Sequence, residues 1–324
     1  MLEIFESKMN EVNSDKINMF WHKVPFGKKN FGDVLGPYIV ENLSGKKPMY
    51  TPLLHTGFNK LFVLTYLRAI YNRKLSVKEM YYNIQFLLGK KQNLLITIGS
   101  VIDWYTNPNC DIWGSGIIKQ NCQITNANFY AVRGKHTQLR LKQLGYQAPE
   151  AIGDPALLMP LIFTPKVNKK YKLGIIPHFL HYEEIIEKLN SDDVLIINLF
   201  DAIEKVIEDV CSCEKIISSS LHGIIIGHAY DVPSLWFGLA SGNIGGDDIK
   251  FADYFSSVEI REYERFKIDH NRYDENYLTI IESLFDEHKE LTLVTSEILK
   301  KIQGDLIKSA PFTIRPQFRE NGGE

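Results

Sequence analysis

The chain alternates short apolar runs with longer amphipathic segments, the pattern of strands and helices in a parallel α/β protein. Strands rich in aliphatic and aromatic residues are predicted at 17–21, 94–98, 111–113, 129–132, 151–152, 171–176, 194–199, 215–217 and 233–237. Helices are predicted at 34–40, 59–92, 135–144, 182–189, 202–211, 224–230 and 273–308. Because the two element types alternate throughout, we expect doubly wound parallel sheets.

Length and proline content predict a division into two domains. The chain has 324 residues, which suits two domains of about 150 residues each. Residues 155–170 contain three prolines and have the composition of an interdomain linker. We therefore predict domains at 1–160 and 161–324, the second ending in helices and a mobile polar tail at 311–324.

Small and polar residues follow the predicted strands of the first half. They are Gly99 and Ser100, Gly114 to Gly116, Arg133 and Gly134, and Gly153 and Asp154. Because the carboxyl ends of parallel strands meet at one edge of a sheet, we expect these residues to line a polar crevice.

A second cluster of this kind lies in residues 214–237, where a strand, a serine turn, a helix and a strand follow one another. The turn and helix start contain Ser219, Ser220, Leu221, His222 and Gly223. A helix N-terminus at a strand end exposes N–H groups that bind anions, so this is a candidate ligand site. The alternative is that the serines only cap the helix and that the histidine packs beneath it.

Near the start of the chain, Asn30, Gly32 and Asp33 precede an apolar helix. They are predicted to approach a ligand closely, since a Cβ at Gly32 would block that approach. The alternative is that Asp33 is simply the N-cap of the helix.

Composition and charge exclude several classes of protein. Hydrophobic residues make up 44% and charged residues 23%, as in ordinary globular proteins, and the net charge of −2 argues against a strongly basic nucleic-acid binder. Residues 1–160 hold 19 Lys/Arg against 11 Asp/Glu, and 161–324 hold 18 against 28. The basic first half suits phosphate-bearing ligands or an anionic membrane surface, unless the asymmetry is chance composition.

The cysteines and the apolar runs argue against a metal site and a membrane span. The four cysteines lack the spacing of a metal site, and we interpret them as reduced thiols of a cytoplasmic protein. No signal peptide and no apolar stretch long enough for a transmembrane segment is recognised in the sequence.

The motifs, taken in order, resemble those of the polysaccharide pyruvyltransferases. The matching stretches are Asn30 to Asp33, Ala131 to Gly134, Gly153 to Ala156, Pro177-His178, Ser218 to Gly223, and Lys250 to Tyr254. The resemblance covers roughly residues 28–257 and rests on the order and spacing of the motifs, since no single one is decisive.

The resemblance implies an enzyme that transfers the pyruvyl group of phosphoenolpyruvate to sugar hydroxyls of a polysaccharide or its lipid-linked precursor. The product is a pyruvate ketal, and phosphate is released. The implied fold is glycosyltransferase B-like: two Rossmann-like domains facing a cleft, the N-terminal one on the acceptor side and the C-terminal one on the donor side. No metal and no organic cofactor is implied. A lipid-pyrophosphate-linked acceptor would place the protein in the cytoplasm with peripheral membrane association at the inner face.

Within that resemblance, three residues are candidates for catalysis. His222 is the expected proton donor to the methylene carbon, because imidazole titrates near neutral pH. Arg133 suits the carboxylate or phosphate of the donor, and its alternative role is a surface ion pair. His178 is a candidate base or cation, or else it only lines the cleft.

The remaining candidates would bind or orient substrate. Ser219, Ser220 and the following N–H groups could cradle an anion. Some relatives carry arginine at the Ser220 position, so Lys250 or His178 is expected to supply the second cation. Asp154 either orients the catalytic histidine or caps the segment after it.

Two alternatives from other classes remain. One is a nucleotide-sugar-dependent glycosyltransferase of the same fold, although no acidic residue is clearly placed for a ribose. The other is a non-catalytic glycan-binding protein.

Overall fold

The structure is a computed structural model. It describes residues 15–23, 29–51, 60–72, 74, 93–104, 110–178, 181–188, 191–238, 247–267 and 277–319. Within these residues ten strands form two five-stranded sheets, and every strand pair is parallel. The mixed α/β architecture with two parallel sheets confirms the predicted fold class and is consistent with Rossmann-like halves.

The first sheet has the order β2-β1-β3-β4-β5. Its strands are β1 (Lys16–Phe20), β2 (Lys47–Tyr50), β3 (Leu94–Ile96), β4 (Cys110–Trp113) and β5 (Asn128–Ala131). The helices of this half are α1 (Phe31–Ser44), α2 (Lys60–Tyr71) and α3 (Lys135–Gln143).

The second sheet has the order β10-β9-β8-β6-β7. Its strands are β6 (Tyr171–Ile176), β7 (Val194–Ile196), β8 (Cys213–Ser218), β9 (Ser234–Gly238) and β10 (Phe266–Lys267). Its helices are α5 (Tyr182–Lys188), α6 (Ile203–Cys211), α7 (Leu221–Ala229), α8 (Ile249–Ser257) and α9 (Tyr277–Glu287), with α4 (Met159–Ile162) before the sheet and α10 (Ser296–Ser309) and α11 (Pro316–Arg319) at the end. Two 3₁₀ helices, Pro155–Leu158 and Lys289–Leu291, complete the described elements.

Helix α7 is enclosed by other parts of the protein. Its residues Ile224, Ile225 and Ile226 are all fully buried, so it is apolar around its whole circumference, as expected for a helix enclosed by protein. One apolar core runs from residues of the first half, such as Leu35, through this helix into the second sheet. The two halves of the described chain therefore share one apolar core.

The segment predicted as a linker is part of that core. Pro155–Leu158 is a 3₁₀ helix, and its alanine and two leucines are completely buried. Prolines at the first turns of Pro155–Leu158 and α4 start helices here, because proline has no N–H to leave unpaired. The linker prediction for residues 155–162 is therefore wrong.

The end of the chain packs on the first half. The indole N–H of Trp113 donates to the carbonyl of Leu306 in α10 at 3.0 Å, and the side-chain amide of Gln303 donates to that of Leu157 at 2.8 Å. Phe318 is buried in α11. The prediction of a mobile tail is wrong for 311–319, and residues 320–324 lie outside the described part.

Several predicted boundaries also change. Strand β2 was not predicted, because its sequence lacks an apolar run. The predicted strand at 151–152 is one isolated bridge between Val132 and Ile152. Most of the predicted helix at 59–92 beyond α2 lies outside the described residues. Among the residues described, no helix is both long and apolar enough to cross a membrane.

Candidate active site

The turn between β8 and α7 is built around the hydroxyl of Ser218. Its single O–H lies within hydrogen-bond distance of the carbonyls of Ile176 and Ser220, at 2.9 and 2.8 Å, and its oxygen accepts from the Ser220 N–H at 3.0 Å. A Cβ on Gly223 would lie 2.3 Å from this hydroxyl, so glycine lets α7 begin directly against the strand end. Gly223 was predicted to bind substrate, and its contacts give it a structural role instead.

Ser219 and Ser220 complete the start of α7. Ser220 is the N-cap residue, but its side chain makes no capping hydrogen bond. The Ser219 hydroxyl accepts a hydrogen bond from the His178 N–H at 2.8 Å. Neither serine side chain therefore makes the capping hydrogen bond that the alternative prediction required. Leu221 begins α7 and is buried in the core.

His222, in the first turn of α7, lies against the first turn of α1. A Cβ placed on Gly32 would lie 2.2 Å from its Nδ1 atom, so the ring occupies the space that glycine leaves open. Gly32 was predicted to let a ligand approach closely, and the group that lies against it within the protein is this imidazole. The His222 side chain is 17% exposed, which keeps one part of the ring accessible.

Asp154 faces the same imidazole. Its Oδ2 atom lies 4.0 Å from Nε2 of His222, and both atoms are buried without a hydrogen-bond partner. Its Oδ1 atom accepts from the Ala156 N–H at 2.9 Å and caps the 3₁₀ helix. Of the two roles weighed for Asp154, the structure shows capping through Oδ1, while Oδ2 faces the imidazole at a distance longer than a hydrogen bond.

Burial and charge set the protonation of this pair. Burial lowers the pKa of His222, while the Asp154 and Asp33 carboxylates oppose the shift, and Arg133 and Lys250 reinforce it. Burial raises the pKa of Asp154, and His222 opposes this. Each group therefore favours the charged form of the other in a site that disfavours isolated charges.

Substituting Gly32 by alanine tests whether this fit matters. We expect the added Cβ to push the ring of His222 out of place and to lower the activity of the site by about 10²-fold, as for misplaced catalytic groups generally. Gly36→Ala is the matched control. Gly36 lies in the same helix as Gly32, but its Cβ would lie 2.4 Å from Oγ1 of Thr97, which follows β3, and not against the histidine. Equal activity loss in both variants, compared at equal folded fraction, would contradict the argument.

Arg133 is buried within an ion-pair network and does not face open space. Its exposure is 1%, and it contacts the Asp253 carboxylate through Nε and Nη2, both at 3.0 Å. Nη1 donates to Ser100 Oγ at 2.5 Å, and Nη2 to the Ile117 carbonyl at 2.7 Å. Both predicted roles of Arg133, donor binding and a surface ion pair, disagree with these contacts, and Ser100 is likewise occupied by the guanidinium.

Asp253, on α8, was not predicted as a site residue. Its carboxylate is fully buried and also accepts from the N–H and hydroxyl of Thr137 at 2.8 and 2.7 Å. A Cβ on Gly134 would collide with the Asp253 carbonyl at 1.7 Å, so α8 rests directly on the start of α3. Asp253 and Arg133 therefore join α8 to the first sheet.

Two predicted glycines also support the framework. Gly99 has φ +111°, and its carbonyl accepts from the Ser115 hydroxyl at 2.8 Å. Gly153 has φ +151°, and a Cβ there would lie 2.4 Å from Ile302 of α10. The positive φ favours glycine at both positions, and the contact with Ile302 adds a packing reason at Gly153.

Lys250 and His178 supply basic groups near His222. Burial lowers the pKa of Lys250, with Arg133 adding to the shift. Burial, then Lys250 and His181, lowers the pKa of His178 to about 4. His178 is therefore neutral at physiological pH, and Lys250 is the better candidate for the cation that Ser220 does not provide.

Asn30 and Asp33 form the first turn of α1, with Asn30 and not Asp33 as the N-cap residue. The Asn30 amide donates to Asp33 Oδ2 at 3.0 Å, and His22 Nδ1 lies 3.1 Å from the same oxygen. His22 was missed in the sequence, where it follows a strand without a recognisable motif. It lines a pocket of about 670 Å³ between residues 21–23, α1 and residues 200–204.

The assembled site can donate a proton and hold an anion. A buried imidazole with a free Nε2 lies beside a carboxylate, a helix N-terminus and a lysine, and a pocket opens next to α1. No group of three or more His, Cys, Asp or Glu side chains suited to a metal ion occurs among the described residues.

Comparison with known proteins identifies a matching family and a relative. A family model described as polysaccharide pyruvyl transferase matches residues 81–241. An uncharacterized protein of Acanthamoeba polyphaga mimivirus is 33% identical over 180 residues, which is 52% of this chain and 62% of that protein. The match thus spans less than two thirds of that relative's length. No solved structure gives a significant match. The resemblance predicted from the motifs is confirmed, since residues 81–241 of this chain match the polysaccharide pyruvyl transferase family.

Proposed function

We propose that this protein transfers the pyruvyl group of phosphoenolpyruvate to hydroxyls of a sugar acceptor, forms a pyruvate ketal and releases phosphate. The observation that carries the proposal is the position of His222, whose Nε2 is buried, unpaired and 4.0 Å from Asp154. Family membership supports a pyruvyl transferase with a sugar acceptor. The identity of the donor is our inference from the chemistry of the site.

The reaction needs a proton at the methylene carbon of the donor. Protonation there makes the adjacent carbon electrophilic, so a sugar hydroxyl can attack it. His222 is the proposed acid, and Asp154 stabilises its protonated form. Lys250, the N–H groups at the start of α7 and the hydroxyls of Ser219 and Ser220 are proposed to hold the donor's phosphate and carboxylate. Arg133 acts through Asp253 as a positioning residue.

The arrangement of the two sheets is proposed to be glycosyltransferase B-like. Residues 1–160 would form the acceptor side and 161–324 the donor side, with α10 and α11 returning to the first half. The pocket of about 670 Å³ beside α1 is large enough for a sugar. The reaction as proposed uses phosphoenolpyruvate as co-substrate and needs no further cofactor.

A lipid-pyrophosphate-linked acceptor is part of the proposal, with action in the cytoplasm at the inner face of the membrane. The excess of Lys and Arg in residues 1–160 supports this. Helix α2 adds exposed Leu67 and Tyr71 next to Arg68, a combination suited to a lipid surface. Co-sedimentation with anionic vesicles tests this part, and failure to sediment would contradict it.

A direct assay tests the function. Purified protein is incubated with phosphoenolpyruvate and a panel of nitrophenyl and lipid-linked sugars, and products are followed by mass spectrometry and phosphate release. We expect a mass gain of one pyruvyl ketal with one phosphate released per product. Phosphate release without a sugar product, or transfer from a nucleotide sugar instead, would overturn the proposal.

Replacing Asp154 by asparagine tests the acid assignment. The Asp154 carboxylate raises the pKa of His222, so its removal lowers that pKa further. Because the acid must be protonated, we expect the basic limb of the pH–rate profile to move to lower pH and the rate at neutral pH to fall.

Asp111→Asn is the control for this prediction. Asp111 is a buried carboxylate bonded to the amides of Asn93 and Asn128, outside the cluster around His222. Its replacement is expected to leave the profile in place. An unchanged profile in the Asp154 variant would exclude its coupling to the catalytic acid.

A further inference from the structure

A second histidine–carboxylate pair lies on the acceptor side of the site. His22 Nδ1 is 3.1 Å from Asp33 Oδ2, and the Asn30 amide donates to the same oxygen at 3.0 Å. The edge of the His22 ring also contacts Trp104, with centroids 5.5 Å apart. The Asn30 amide thus holds the carboxylate, and Asp33 and Trp104 hold the plane of the imidazole.

The other ring nitrogen of His22 is available. The side chain is 33% exposed and lines the pocket beside α1. Nε2 has no hydrogen-bond partner in the part of the chain that the structure describes. When Nδ1 carries the proton shared with Asp33, Nε2 presents a lone pair to the pocket, which is the tautomer of a general base.

The first turn of α1 connects this pair to the proposed acid. Gly32 packs against the His222 ring, and the next residue, Asp33, pairs with His22. Asp33 also contributes to the electrostatic environment of His222. The two histidines therefore flank one helical turn, one towards α7 and the other towards the pocket.

We propose that His22 is the general base that removes the proton from the attacking acceptor hydroxyl, with Asp33 as its positioning residue. The inference rests on the proposed function and adds to it the site of the acceptor, the pocket between α1 and residues 200–204. Trp21, Tyr38 and Phe200 give this pocket aromatic faces, and Lys29 and Glu41 give it polar groups, the combination that binds a sugar ring.

The proton balance requires such a group. The methylene carbon gains one proton from His222 and becomes the methyl group. Two acceptor hydroxyls each lose one proton as their oxygens bond to the adjacent carbon, the one that carries the phosphate. His22 takes the proton of the first hydroxyl and releases it to solvent, while solvent reprotonates His222. The second hydroxyl displaces phosphate when the bond between this carbon and the bridging phosphate oxygen breaks. The proton of the second hydroxyl leaves with the phosphate as hydrogen phosphate.

Replacement of His22 by alanine tests the proposal, with kcat, the KM for acceptor and the Kd for phosphoenolpyruvate measured separately. We expect kcat to fall about 10²-fold or more. The Kd for phosphoenolpyruvate, from calorimetry, should stay within about twofold, because the donor groups are on α7 and α8. Added imidazole should restore part of the rate to the alanine variant, and His22→Gln should be equally slow and not rescued.

His136→Ala is the matched control. His136 also pairs with a carboxylate, Glu262 at 2.6 Å, and is 25% exposed, but it lies outside the pocket. It should keep full activity. Unchanged kcat in the His22 variants, or a loss that imidazole does not rescue together with weaker phosphoenolpyruvate binding, overturns the proposal. Absence of any pyruvyl transfer by the unmodified protein would instead refute the proposed function itself.

Discussion

Replacing His222 by alanine is expected to lower the rate of pyruvyl transfer by about 10²–10⁴-fold, the range for loss of a general acid. The imidazole lies against the first turn of α1 and 4.0 Å from Asp154, which favours its protonated form. Steady-state phosphate release measures the effect. We expect the Kd for phosphoenolpyruvate to change much less than kcat.

His228→Ala separates this chemistry from folding. His228 is on the same helix and 1% exposed, and its Nδ1 lies 2.9 Å from the Tyr254 hydroxyl. Its loss should reduce the free energy of unfolding while the activity per folded molecule is retained. A His222 variant with more than about a tenth of the normal kcat would show that the proton comes from another group.

Replacing Asp253 by alanine should give the largest loss of stability, about 3–5 kcal/mol in the free energy of unfolding. The substitution leaves the guanidinium of Arg133, which is 1% exposed, without its counter-ion, and it removes two hydrogen bonds to Thr137. Chemical denaturation monitored by circular dichroism measures the loss. Activity is expected to fall as well, because α8 carries Lys250.

A double variant identifies the cause of that loss. Arg133→Met together with Asp253→Leu removes both charges and keeps much of the buried volume, so it should be more stable than Asp253→Ala alone. Exposed pairs such as Arg261–Glu290, at 3.2 Å, provide the comparison, and breaking that pair should change the free energy of unfolding far less than Asp253→Ala does. A single Asp253 variant as stable as the parent would contradict the importance of the buried ion pair.

The sequence predicts which residues come together at the site, but not which of them contact one another. Gly32, Asp154 and His222 lie at strand ends or helix starts, and parallel topology brings such positions to one region. The assignment of Arg133 to the donor failed because its counter-ion, Asp253, is 120 residues away and no local pattern pairs them. His22 was missed because its only signal is its position after β1, which becomes meaningful once Asp33 is known to contact it.

The fold shows the same division between local and long-range information. Strands with continuous apolar runs, such as β6 and β8, are found close to their predicted positions. Strand β2 has no such run, because it lies at the sheet edge and is mostly half-buried. The prolines of 155–162 mark helix starts and not a linker, a distinction that depends on α10 covering that segment.

The return of α10 to the first half has a consequence for synthesis on the ribosome. The carbonyl that accepts the Trp113 indole N–H and the isoleucine that covers Gly153 lie about 170 residues further along the chain than the end of β5. At a translation rate of roughly 5–20 residues per second, α10 is synthesised on the order of 10–30 s after the first sheet. During that interval its apolar edge is exposed, so a nascent chain stalled before residue 296 should be a substrate for chaperones.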